Sequence, residues 1–135
     1  MFDTRVAILV HGDLPVWQKL NVTAFLATGI AGAAPEAMGE PYLDAAGNRY
    51  ARLLGQPMLV FAADTASLVR ARRVALDRGV TCAAYVRAMF DTGHDAANRA
   101  VFLAAPMDNP DLVGVAVRGR KNDIDRVTKD LKLHT

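Results

Sequence analysis

The sequence predicts one α/β domain whose largely parallel or mixed sheet is covered by helices on both faces. Three observations predict it. Two short runs, Arg5 to His11 and Pro57 to Ala63, are apolar almost without interruption, which suits strands buried on both sides. Each run gives way to a breaker and then to a helical pattern, and the elements alternate as β-α-β-α-β-(α)-β-α. The 135 residues are 52% hydrophobic and hold no internal repeat, low-complexity tract or linker, so residues 1–135 read as a single domain. A chain of this size buries roughly two thirds of its unfolded surface and needs neither metal nor disulfide to fold.

The elements follow in order. After the first strand, Gly12-Asp13 breaks the run. Asp13 is expected to cap a helix from about Pro15 to Ile30, with Pro15 in its first turn where a missing N–H costs little. Val16, Leu20, Ala24, Ala27 and Ala31 recur at helical spacing as its expected inner face, widened by Trp17 and Phe25. Gly29 and Gly32 weaken its end, and small residues there allow a close approach to the sheet. Residues 33 to 56 are punctuated by Pro35, Gly39, Pro41, Gly47 and Gly55. Gly47-Asn48, between Tyr42-Leu43 and Tyr50-Ala51, predicts a short hairpin turn.

The second buried strand, Pro57 to Ala63, leads through a cap at Asp64 or Thr65 into a helix that ends at Arg78, with Gly79 in the left-handed position beyond it. Leu68, Ala71, Ala75 and Leu76 form its expected inner face. A third strand is expected within Val80 to Met89, and a short helix from His94 to Leu103, closed by Pro106 and Pro110. Asp111 to Val117 reads as a further strand, followed by Gly119. Asn122 is expected to cap a last helix with Ile124, Val127 and Leu131 inward, and Asp123 and Asp125 near the positive end of its dipole.

Composition narrows the function. The net charge of +2 excludes an overwhelming nucleic-acid field but not a local patch. Basic residues gather at Arg70, Arg72, Arg73 and Arg78, and again from Arg118 to Lys132, where interleaved Asp123, Asp125 and Asp130 point to a solvated helix face. Cys82 lies in a mostly apolar run without cationic neighbours, so a buried, inert thiol is expected, and one free cysteine fits a reducing compartment. No apolar stretch reaches the roughly 18 to 20 residues that span a bilayer. The start lacks the basic leader and cleavage site of a signal peptide, so the cytoplasm is the expected location.

No phosphate-binding glycine loop and no Gly-x-Ser-x-Gly elbow is present, and the only serine is Ser67. His11, His94 and His134 are not spaced as metal ligands, so no metal and no cofactor are expected. Ligands of open α/β sheets bind beyond the carboxyl ends of parallel strands. That rule gathers His11, Gly12 and Asp13 after the first strand, Asp64 and Thr65 after the second, and Asp91, Thr92, Gly93 and His94 after the third. Lys19, at the start of the first helix, is expected to reach the same rim. The plain alternatives are loop and cap residues for the histidines and a solvated helix charge for Lys19.

Several stretches carry a resemblance. Val127-Thr128-Lys129-Asp130-Leu131-Lys132-Leu133 is similar to the closing Val-Thr-Gly-x-Leu-Lys-Leu of type II peptidyl-tRNA hydrolases. His11-Gly12-Asp13-Leu14 with Lys19 resembles that family's strand–helix join, and Asp91-Thr92-Gly93 resembles its Asp-Ala-Gly. Leu20-Asn21-Val22, Thr92-Gly93-His94 and Leu112-Val113-Gly114-Val115-Ala116 resemble, more closely, the domain-of-unknown-function family two thousand, grouped with those hydrolases by fold. The likeness runs from about residue 5 to 134. It implies a three-layer α/β/α fold with a mixed, mainly parallel four-stranded sheet.

In the hydrolases a helix lysine, a following histidine, and an aspartate and threonine after the third strand are implicated in catalysis. The resemblance carries these roles onto Lys19, Asp91 and, loosely, Thr92. Lys19 sits one residue too close to Asp13-Leu14, the histidine position falls near Leu26, and Asn21-Val22-Thr23 replaces Ala-Ala-Gln. About fifteen extra residues follow Gly93.

Three functions are therefore carried forward. The first is a small-ligand or nucleotide-related binding protein on this scaffold, as the missing catalytic positions favour. The second is a hydrolase of an ester or amide linked to a tRNA or nucleotide. There Lys19 stabilises an oxyanion, Asp91 or His94 activates water, and Arg120 and Lys121 hold phosphates. His11, Asp13, Thr92 and Gly93 are the remaining binding candidates. The third is an oligomer without an active cleft, contacting itself through Met38, Tyr42 and Tyr50. The expected partners are a small molecule or RNA, with no membrane.

Overall fold

The computed structural model describes residues 2–135. It is an α/β fold built on a mixed five-stranded sheet. Strand β1 covers Thr4–His11 and is followed by helix α1, Val16–Ala33. A small hairpin, β2 (Tyr42–Leu43) with β3 (Arg49–Tyr50), precedes β4, Met58–Ala63. Helix α2 spans Thr65–Arg78, β5 spans Thr81–Val86, and a 3-10 turn covers Arg87–Asp91. Helix α3 (Asp95–Ala104), β6 (Leu112–Arg120), α4 (Lys121–Val127) and β7 (Lys132–Leu133) complete the chain.

The sheet order is β5-β6-β1-β4-β7. Only β1 and β4 are parallel neighbours, and the other three pairs are antiparallel. The expectation of four mainly parallel strands is therefore corrected on both counts. The cause is the path after β5. A parallel neighbour needs a crossover that carries the chain back along the sheet, whereas an antiparallel one needs only a turn at one edge. The 3-10 turn and α3 keep the chain at the edge where β5 ends, so β6 runs back between β5 and β1, with Leu112 beside Val86. The fifth strand, β7, is two residues long and carries too little pattern to be foreseen.

The register makes β1, β4 and β5 point the same way, although β6 separates β5 from β1. The turns after all three strands consequently open onto one edge of the sheet. That is the edge where the site candidates were sought.

The first helix differs most from expectation. Its buried stripe is Val22, Leu26 and Ile30, while Val16 and Leu20 are 70% and 66% exposed. A helix apolar nearly all round gives no unique inner face from spacing alone. Gly114 on β6 decides the face: a Cβ there would lie 2.5 Å from Val22 Cγ1 and 2.9 Å from Leu26 Cδ1, so these two side chains occupy the missing side chain's place. Gly29 adds to the close approach, since its Cβ would meet Ala83 on β5 at 3.1 Å.

Other expectations hold in detail. Asp64 caps α2 by accepting the Ser67 N–H at 2.8 Å, and Gly79 ends that helix at φ 67°. Leu68, Ala71 and Ala75 face the core, though Leu76 is 62% exposed. Gly47, at φ 85°, turns the β2–β3 hairpin. Three do not hold. Asp13 does not cap α1, Asn122 lies inside α4 rather than before it, and β4 is buried only at Ala63.

Two cores result. Val22, Leu26 and Ile30 of α1 pack on Val6, Ile8, Val10, Val113 and Ala116. On the other face, α2 and α4 cover Ala7, Leu9, Val115 and Val117.

Candidate binding cleft

With its buried stripe on Gly114, α1 turns a second stripe sideways. Trp17, Asn21 and Phe25 recur every four residues along its flank, and both aromatics stay more than half exposed. Beyond that flank stand Tyr85 at the end of β5, Phe90 in the 3-10 turn, and α3. Trp17 meets Phe90 edge-on at 5.9 Å, Phe90 lies 5.2 Å from Tyr85, and Tyr85 lies 6.2 Å from Phe25. These rings form one continuous aromatic wall.

The wall encloses two adjoining cavities of about 550 and 360 Å3 that share Phe25, Tyr85, Met89, Asp95 and Asn98. Together they make a cleft between α1 and α3, open at the β5 side of the sheet. Its size falls within the roughly 300–1,000 Å3 of ligand pockets.

Polar groups are few and placed. The Tyr85 hydroxyl donates to Asn21 Oδ1 at 3.4 Å, which leaves the Asn21 NH2 without a protein partner among the described residues. Burial pushes the Tyr85 phenol above its ordinary range, so it stays a neutral donor. Thr92 is hydrogen-bonded to the Met89 carbonyl at 2.9 Å and to the Asn98 side chain. Asn98 Oδ1 is thus the atom turned to Thr92, and the Asn98 NH2 is the end of the amide left without a side-chain partner among the described residues. His94 caps α3 by accepting the Ala97 N–H on Nδ1 at 3.2 Å, which fixes the neutral ring as its Nε2–H tautomer. Asp95 and Arg99 form an exposed pair at 2.7 Å on the rim.

Of the residues named from sequence, Thr92, Gly93 and His94 line this cleft. The others do not join them. Lys19 leaves α1 on the opposite flank from Trp17 and Asn21, and its ammonium donates to His134 Nε2 at 3.1 Å. The His134 Nδ1 in turn donates to the Thr135 main-chain oxygen at 2.8 Å. Asp91 is exposed at the end of the 3-10 turn and lines neither cavity.

His11 is 7% exposed and fully engaged: Nδ1 accepts the Asp13 N–H at 3.2 Å, and Nε2 meets Thr65 Oγ1 at 3.1 Å. It ties the end of β1 to the start of α2. Asp13 contributes its main chain to this lock and lines neither cavity. Arg120 pairs with Thr4 at the start of β1, so Arg120 and Lys121 lie at the opposite edge of the sheet. The rise of β6 separates them from the cleft by on the order of 25 Å.

The missed residues are Trp17, Asn21, Phe25, Tyr85, Phe90 and Asn98. The i, i+4, i+8 spacing of the first three was a visible signal, but Trp17 and Phe25 were absorbed into a presumed core face and Asn21 entered only through the resemblance. Cys82 is half-buried and its thiol is raised, in keeping with the inert thiol expected. Burial raises its thiol, but Arg72 of α2 stands near enough to lower it in part, a neighbour the local run did not reveal.

A family model described as protein of unknown function, DUF2000, matches residues 4–135. The chain belongs to the DUF2000 family. The solved structure of Atu0240, a protein of unknown function from Agrobacterium tumefaciens str. C58, is similar to this DUF2000 chain at 47% identity and a TM-score of 0.96, covering 100% of both chains. No curated protein matches it. Among the described residues of this DUF2000 domain, no group of three metal-ligating side chains occurs. No helix among them is long and apolar enough to cross a membrane.

Proposed function

We propose that this DUF2000 protein binds a small ligand with a flat or apolar body and an amide-like hydrogen-bonding edge, of which a nucleobase is one form. The observation that carries this is the aromatic wall from Trp17 to Phe25, set over a cleft whose polar groups include the Asn21 and Asn98 amides, the Tyr85 and Thr92 hydroxyls and the His94 ring, with the Asp95–Arg99 pair on its rim. Exposed aromatics in a contiguous row are costly to leave in water and mark binding surfaces. Donors at the Asn21 and Asn98 NH2 groups and at His94 complement an edge that presents hydrogen-bond acceptors, such as amide or ring carbonyls and ring nitrogens.

The hydrolase reading loses its main supports. Lys19 is held by His134, away from Asp91 and His94. The Nδ1 lone pair of His94 is spent on the α3 cap, so the ring donates and does not deprotonate water. Arg120 and Lys121 stand at the far edge, so a nucleoside-like body suits the cleft better than a phosphate.

Trp17 is the only tryptophan, so its emission reports on the cleft directly. Titration with adenosine and with benzamide is expected to change that emission saturably for at least one of them. Phe25→Ala is expected to weaken the effect, and Lys19→Ala to leave it unchanged. No saturable change with either probe removes the proposal, as does a change that depends on Lys19 but not on Phe25.

A further inference from the structure

We infer that the apolar body and amide edge this cleft suits are those of an extended peptide segment, which adds a strand to the free edge of β5; the inference rests on the cleft being the binding site proposed above. Strand β5 ends the sheet and pairs only with β6. In an antiparallel ladder, alternate residues turn their N–H and C=O away from the partner strand. No hydrogen bond from any other described segment reaches the main chain of Thr81 to Tyr85. These outward groups are therefore a row of unpaired donors and acceptors.

Exposed edges are normally blunted by charge, proline, shortness or a covering element. β5 reads Thr-Cys-Ala-Ala-Tyr-Val, six residues with neither charge nor proline. The opposite end of the sheet is treated differently: β7 has two residues, and one of them is Lys132.

The space beside β5 fits a strand. Ala83, Ala84 and Tyr85 all line the larger cavity. Consecutive strand residues point to opposite faces, so a cavity touching all three opens on the edge itself. Phe25 of α1 walls it on one side and Phe102 of α3 on the other. Helix α3 rests on the 3-10 turn and leaves about 550 Å3 between itself and the strand. Small side chains at Ala83 and Ala84 let a second main chain approach.

Only a polypeptide supplies N–H and C=O groups alternating at strand spacing, which is the chemistry of strand addition. The joined cavity at Trp17 and Phe90 then takes an aromatic or apolar side chain of the same segment, beside the amides of Asn21 and Asn98. The preferred partner is an extended, uncharged segment with a large apolar residue near its middle.

The test uses the full 15N-labelled chain and a blocked hexapeptide, Thr-Val-Phe-Val-Thr-Val, with a copy N-methylated at alternate residues. Saturable binding is expected, with alternate β5 amides between Thr81 and Tyr85 slowed at least about tenfold in hydrogen exchange and the methylated copy bound at least about 30-fold more weakly, as the loss of two or three hydrogen bonds requires. Equal binding of both peptides overturns strand addition. So does binding that shifts Trp17 and Asn98 while β5 exchange is unchanged. Slowed β5 exchange that rises with protein concentration in the absence of peptide overturns it in favour of a second copy. The adenosine and benzamide titration is independent, so the cleft survives if one of those binds and the peptide does not.

Discussion

The two ends of the sheet are built on opposite principles. At one end β4 meets β7, a strand of two residues with Lys132 in it, reached through the turn after α4 in which Asp130 takes a left-handed φ of 65°. At the other end β5 is six neutral residues long, and Ala83, Ala84 and Tyr85 of it face an open groove between two helices. A charged, minimal edge discourages pairing, whereas a smooth neutral edge invites it. The difference teaches that the β7 end is closed to pairing while the β5 end is left open, which is the asymmetry the proposed binding reading uses.

The comparison breaks most visibly if α1 is moved, because α1 forms one wall of the β5 groove. Gly114→Val places side-chain atoms where Val22 and Leu26 already sit, and both are buried. Overpacking of this kind costs about 1–3 kcal/mol or more. A large fall in the urea midpoint is expected, with loss of the cleft. Gly32→Ala is the control, since a Cβ there meets nothing within 4 Å. Equal stability of the two variants would mean that α1 does not lie on β6 as described.

A smaller effect is expected from Phe25→Ala. Phe25 is 55% exposed, so global stability should change by under about 1 kcal/mol. Ligand affinity should fall about tenfold, as the loss of a stacked ring implies. A large stability loss with unchanged affinity would make Phe25 a core residue and not a wall of the site.

Lys132→Val sharpens the other end. Removing the charge from β7 should raise self-association measurably in light scattering while leaving adenosine or benzamide binding as it was. No change would show that shortness alone closes that edge.

The smallest effect concerns the β2–β3 hairpin, which precedes β4. Asp44 accepts from Asn48, from Tyr50 Oη at 2.8 Å and from the Ala46 N–H, and these bonds, those of Asn48 first, hold its carboxyl down at about 2. A depressed carboxylate contributes order that is present above the ordinary carboxylate range and is lost as pH falls through the folded value. The Asn48 amide resonances should therefore titrate with a midpoint about 2. A midpoint near the ordinary 3.8 would mean that the hairpin is not held by Asp44.

The sequence revealed what is local. Strand β1, the Asp64 cap, the Gly79 stop and the Gly47 turn each follow from a few adjacent residues with one physical solution. Thr92, Gly93 and His94, named because strand ends are identifiable, are the candidates that line the cleft. What stayed hidden is non-local. Gly114 selects the inner face of α1 from about ninety residues away. The edge status of β5 depends on where β6 chooses to return. Lys19 was read as a rim charge because nothing adjacent shows that His134 draws it to the other flank.

The most direct test of the account is a map of the binding site by 15N chemical shifts, using whichever of adenosine or benzamide perturbs Trp17. The account predicts the largest shifts at the Trp17 indole N–H and at the side-chain amides of Asn21 and Asn98. Shifts centred instead on Lys19, His11 and His134 would contradict it and move the site to the opposite flank of α1.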